Sequence, residues 1–232
     1  MDINTGHHET EGKKSYLKLI VIFLILVVVI PLVLYMKERF DPDYYLKFQR
    51  SGEEYFKKGE WDKAAAEFEK AVKYQPDKVE NHYALGLTYL RLNKLQNGVE
   101  ELIKVIKASP QNMDAHYSLG VAYQRIGRLE LALKEYHIVA KAIPTSFQVF
   151  NNVGLVHLDT GNYDKAAQAL KHAIEIKPDY YEAYLNLGKS YEALGEKELA
   201  KKEYGKIKEM ASKRPETLPY AKMAEQRLAN LQ

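Results

Sequence analysis

The sequence predicts an all-α protein: five helical hairpins stacked as a solenoid, a terminal capping helix, and ahead of them one apolar helix that spans a membrane. Two observations predict it, and a third bounds its chemistry. A run of 18 uncharged residues, Leu19 to Met36, stands near the start. Glycine, proline and tyrosine then recur at a spacing of 34 residues. The 232 residues include no cysteine, which excludes disulfides, thiolate nucleophiles, Cys-ligated zinc and iron–sulfur clusters.

The apolar run comes first. At about 1.5 Å per residue it reaches roughly 27 Å, the thickness of the hydrocarbon layer. Lys13, Lys14 and Lys18 precede it and Lys37 and Arg39 follow, with Tyr16 and Tyr35 near the two headgroup levels. Pro31 is compatible with a membrane helix. A cleavable signal peptide needs a shorter apolar core and a small-x-small site, whereas this run ends Val33-Leu34-Tyr35-Met36-Lys37-Glu38. The reading is a polar tail over 1–18, an uncleaved anchor over 19–36 and a linker over 37–44.

Orientation is balanced. Three basic residues lie upstream and four downstream as far as Arg50. A short lysine-bearing tail before a long domain favours a cytoplasmic amino end. That places the repeats outside the cytoplasm, with a bacterial inner membrane as the expected setting and cytoplasmic repeats as the alternative.

Beyond the anchor the period of 34 governs. Gly52, Gly86, Gly120, Gly154 and Gly188 form one column and Pro76, Pro110, Pro144 and Pro178 another. Tyr55, Tyr89, Tyr123 and Tyr191 form a third, with His157 in its gap, and Ala64, Ala132, Ala166 and Ala200 a fourth, with Gly98 in its gap. Each unit holds two apolar-periodic stretches of about a dozen residues, spaced for amphipathic helices. Gly59, Asn93, Gly127, Gly161 and Gly195 separate them, where a left-handed helix end needs glycine or asparagine. Proline ends each second helix. The glycine inside each first helix marks a close helix–helix approach.

This pattern resembles the tetratricopeptide repeat. The match lies in His82-Tyr83-Ala84-Leu85-Gly86-Leu87-Thr88-Tyr89 and His116-Tyr117-Ser118-Leu119-Gly120-Val121-Ala122-Tyr123, and again from Phe150 to His157 and from Tyr184 to Tyr191. The units are 45–78, 79–112, 113–146, 147–180 and 181–214, and Asp41-Pro42 reads as a cap for the first. The fifth has Ser212 in place of the closing proline and Pro215 further on, so its second helix should run longer. A capping helix over 215–232 should shield the last repeat with Tyr220, Met223, Ala224, Arg227, Leu228 and Leu231 on one face.

The resemblance implies a right-handed superhelix whose first helices line a concave groove. Tyr83, Leu87, Leu90, Tyr117, Val121, Asn152, Leu155 and Asn186 are expected to face it. The aromatic and aliphatic members would give apolar contact, and Asn152 and Asn186 would bond the backbone of a bound segment. The basic clamp that grips acidic chaperone tails in relatives is absent in every frame: repeats one to three give Gln49, Glu53, Ala84, Asp114 and Ser118 at its places.

No catalytic constellation is present in the sequence. His82, His116 and His157 sit at packing positions of the repeat, and His7-His8, a pair able to bind metal weakly, reads as solvated in a polar tail. With 34 basic against 31 acidic residues, the net charge of +3 lacks the dense basic face that phosphate backbones require. The expectation is therefore no enzyme, no cofactor, no metal and no nucleic acid. It is a membrane-held adaptor that binds protein or peptide segments and touches the lipid bilayer through its first helix. Assembly or chaperoning of an envelope complex is the setting implied by anchored relatives. The alternative is a scaffold that self-associates.

Overall fold

The structure, a computed structural model, describes residues 19–40, 44–212 and 218–231. The tail with its lysines, Tyr16 and His7-His8, the Asp41-Pro42 cap and Pro215 lie outside the described residues. Among the described residues there is no strand. The chain divides into two compact units, 1–78 and 79–232.

In the first unit, helix α1 spans 19–40. Its segment Leu19–Met36 has a mean hydropathy of 3.3 and buries none of its surface within the chain. Length and composition suit a membrane span and a signal sequence alike. The helix contains a π-helical turn over Ile25–Val29, unsignalled by the aliphatic run, in which the Ile30 N–H reaches back to the Ile25 carbonyl. A widened turn just before Pro31 relieves the clash between a proline ring and the carbonyl four residues earlier. The same unit holds the hairpin of α2 (Tyr44–Lys58) and α3 (Trp61–Tyr74). Phe68 of α3 lies on Gly52 of α2, where an added Cβ would come within 2.7 Å of the ring. Tyr44, Phe48 and Tyr74 form an aromatic cluster with centroids 5.0–5.4 Å apart.

The second unit holds four further hairpins and a final helix: α4 (Val79–Arg91) and α5 (Leu95–Ala108), α6 (Met113–Ile126) and α7 (Leu129–Ala142), α8 (Phe147–Asp159) and α9 (Tyr163–Ile176), α10 (Tyr181–Ala193) and α11 (Lys197–Ala211), then α12 (Leu218–Asn230). Each reversal carries the expected left-handed residue: Asn93 at φ 59°, and Gly127, Gly161 and Gly195 between 73° and 81°. Behind each, the N–H of the next residue closes the helix end onto the tyrosine column. Lys94 donates to the Tyr89 carbonyl, Arg128 to Tyr123, Asn162 to His157 and Glu196 to Tyr191, at 2.8–2.9 Å. At the other end, Ser109, Ile143 and Lys177 are extended, with φ between −129° and −138° ahead of their prolines. Where proline is missing, α11 runs on to Ala211 and Ser212 keeps helical angles.

The glycine column is the contact between paired helices. A Cβ on Gly86 would meet Leu102 at 3.1 Å, on Gly120 the Tyr136 ring at 2.6 Å, and on Gly154 Leu170 at 2.5 Å; Gly188 lies likewise under Tyr204. The large residue sits 16 positions after the glycine each time, and all four are fully buried. Helix α12 covers the end of the unit with Ala221 and Ala224 buried and Tyr220, Leu228 and Leu231 packed on the core. Met223, expected on that face, is 44% exposed. The two alanines set the contact, and their small size lets the helix approach with its face turned away from Met223.

Candidate functional site

Within the second unit, α4, α6, α8 and α10 touch one another in succession more closely than the second helices do. The row of first helices is therefore the shorter, inner side of this unit. Tyr83, Leu87, Tyr117, Val121, Asn152 and Leu155 are partly exposed there, and Tyr83, Tyr117 and Val121 also pack on the core.

Two of the expected groove residues are turned inward. Leu90 is only 7% exposed. It fills the space left by Gly98, the one glycine in the alanine column, where a Cβ would lie 2.6 Å from a Leu90 methyl. Asn186 is buried as well, with its amide donating to Asn151 Oδ1 at 3.2 Å and its Oδ1 accepting from Lys189 Nζ at 3.3 Å. It ties α10 to α8 and offers no rung to a ligand.

Asn152 shares this structural use. Its amide donates to the Tyr117 hydroxyl at 3.1 Å and to Tyr136 at 3.4 Å, and Tyr136 donates on to Gln124 Oε1 at 3.1 Å. One repeat earlier Ser118 bonds the Tyr83 hydroxyl. The column of Ser118, Asn152 and Asn186 thus joins α6, α8 and α10 each to the first helix before it within this unit. Burial pushes the Tyr83, Tyr117 and Tyr136 hydroxyls above their ordinary range, so they remain neutral donors or acceptors at physiological pH.

The histidines follow their packing positions. His82 Nδ1 meets Glu101 Oε2 at 2.5 Å, and His116 Nδ1 meets Glu135 Oε2 at 2.6 Å while its Nε2 faces the Pro110 carbonyl at 3.1 Å. Each of the two carboxylate bonds ties the helices of one hairpin together. His157 is half-buried with an unpartnered Nδ1, and burial, then Lys165, lowers its pKa. Among the described residues no group of three or more His, Asp or Glu is placed to hold a metal.

A recess of about 220 Å³ opens beside Tyr117, lined by Met113, Asp114, Val139, Ile143, Ser146 and Gln148. Further along the row lies a cluster that the repeat columns alone did not reveal. Glu182 accepts from the Tyr180 hydroxyl at 2.5 Å and from the Tyr220 hydroxyl at 2.8 Å. The bond to the carboxylate, then burial, pushes Tyr220 up to about 12. Phe147 meets Tyr180 edge-on at 4.8 Å, and Tyr181 meets Tyr220 at 4.4 Å. The available signal was the acid column Glu80, Asp114 and Glu182, with Leu46 and Gln148 in its two other places.

No curated protein sequence matches this chain. Solved structures do. MamA is 27% identical with a TM-score of 0.68 over 75% of this chain and 95% of its own. TTC0263, a thermophilic TPR protein of Thermus thermophilus, is 26% identical with a TM-score of 0.60 over 78% and 99%. YrrB, a TPR protein with an unusual peptide-binding site, is 19% identical with a TM-score of 0.61 over 75% and 88%, a likeness of fold alone. The TPR repeat pattern matches residues 52–93 and 154–195, and tetratricopeptide repeat patterns match 83–146 and 181–214. With the helical hairpins, their period and their turns as described, the chain belongs to the tetratricopeptide repeat family, whose fold is that of a protein-interaction scaffold.

Proposed function

We propose that this chain is a membrane-anchored adaptor that holds a segment of a partner protein along its row of first helices. The observation that carries the reading is the strip of Tyr83, Leu87, Tyr117, Val121 and Leu155, which stays partly exposed on the inner row. A strip of this kind offers apolar contact to an extended or helical segment. Asn152, whose amide is held by two tyrosines, presents its carbonyl oxygen in a fixed place for a backbone N–H. The role is binding and not catalysis.

The anchor rests on Leu19–Met36, uncharged and exposed along its whole length. The short lysine-bearing tail favours a cytoplasmic amino end, which puts the repeats outside the cytoplasm of a bacterial inner membrane, where an adaptor of this build would serve assembly or chaperoning of an envelope complex. A photoreactive residue at Tyr117 or Leu155, crosslinked in native membranes and followed by mass spectrometry, tests the groove. Crosslinks to a defined protein segment support it; crosslinks arising only from residues on the second helices overturn it. Crosslinks solely between copies of the chain favour the self-associating scaffold.

A further inference from the structure

Glu80, Asp114 and Glu182 share one column, each in the first turn of its helix, where the dipole favours negative charge. Glu182 differs from the others in its surroundings. Each of its oxygens accepts one phenol and keeps a second lone pair, and no described cation pairs with it. Around it runs a contiguous set of partly exposed rings, Phe147, Tyr180, Tyr181 and Tyr220, and the groove residue Tyr117 lies near enough for its hydroxyl to feel the Glu182 charge. The set already attracts a cation: Lys177 Nζ lies 4.5 Å from the Phe147 centroid. Asp114, two repeats earlier in the same column, lines the recess beside Tyr117 as a second acidic station.

We infer that this corner receives an arginine side chain of the bound segment, with its guanidinium against the tyrosine rings and its N–H groups forked onto Glu182. The planar ion suits the site better than an ammonium, because it stacks on a ring face while offering two parallel donors to the two free lone pairs. The inference rests on the groove reading and deepens it: the partner is a basic segment, opposite in charge to the acidic tails gripped by basic clamps.

The test uses the full chain in nanodiscs of zwitterionic lipid, with fluorotyrosine introduced throughout and followed by fluorine NMR. The probes are short capped Gly-Ser peptides carrying one central arginine, lysine or glutamate. The arginine peptide should shift the Tyr180, Tyr181 and Tyr220 resonances saturably, the lysine peptide more weakly, and the glutamate peptide not at all. Glu182→Gln, which still accepts a phenol, should weaken arginine binding by about tenfold, the loss of one charge-assisted pair. If that variant does not fold, Tyr181→Leu carries the test, since it removes a ring while leaving both hydroxyl bonds to Glu182 in place. Equal shifts from all three peptides, or unchanged affinity in a folded variant, overturn the inference. Groove crosslinks to a segment without basic residues would also overturn it, while leaving the adaptor reading intact.

Discussion

Single glycines here do two opposite things, and the difference is measurable. Gly120 lies under the Tyr136 ring, so Gly120→Ala must push a fully buried tyrosine aside; about 1–3 kcal/mol of overpacking outweighs the gain in helix propensity of about 1 kcal/mol. Gly205, within α11, has open space where its Cβ would go, so Gly205→Ala should stabilise by about 0.5–1 kcal/mol. Urea unfolding of both variants checks the pair, and two shifts of the same sign would contradict the glycine assignment. Buried tyrosines set an alkaline limit. Tyr136 is held above its ordinary value near 10 chiefly by burial, so the folded state binds the proton more tightly than the unfolded state. Its contribution is complete below about pH 10 and falls as pH rises beyond that. Tyr136→Phe should therefore flatten the loss of melting temperature between neutral and strongly alkaline solution. Residue positions were legible wherever one column dictated them, as with Asn93 in its left-handed turn. Leu90 was not, because its burial depends on a methyl missing from a different column. Asn186 was not, because its partner Asn151 sits beside the column and not within it.

At the scale of elements, proline and glycine punctuation located the helix ends, and the missing fifth proline correctly foretold a longer α11. Two features escaped. The π-turn escaped because Pro31 is compatible with several local adjustments of a helix and the residues at the turn, Ile25 to Val29, are all aliphatic. The rotation of α12 depended on which small residues meet α11, which a hydrophobic stripe that includes Met223 does not reveal. Helix α12 closes over the core cluster that contains Tyr204 and Ile207 of α11, and Arg227 reaches Glu192 of α10 at 2.9 Å. Ending the chain at Ser212 should expose that apolar face. Hydrogen exchange of α10 and α11 amides should accelerate by at least about tenfold, a local loss of about 1.4 kcal/mol. Unchanged protection would mean that the last hairpin needs no cover.

For the whole molecule, the prediction concerns the lipid bilayer. The full chain should stay with membranes through alkaline carbonate washing, and a version lacking residues 1–40 should be released into solution. Recovery of a shortened mature chain would mean that the apolar helix is a removed leader. Protease added to intact cells and then to spheroplasts reads the side: repeats outside the cytoplasm become digestible only in spheroplasts. The fold was legible at this scale because a 34-residue period constrains all ten hairpin helices at once. The cluster around Glu182 was less so, since it draws Tyr220 from a helix that lies outside the period.

The fit of Leu90 into the hollow above Gly98 sets a rule for recombination. Every other hairpin carries alanine at the place of Gly98, so α4 joined to α7 or α9 would turn the Leu90 side chain out of its buried place, towards the partly exposed setting that Leu158 has opposite Ala166. Shuffling, whether by a designer or by unequal crossing-over, should therefore cost less stability when the cut falls between hairpins at the proline than when it falls at Asn93. For this hairpin the pair of helices is a better unit of exchange than the single helix.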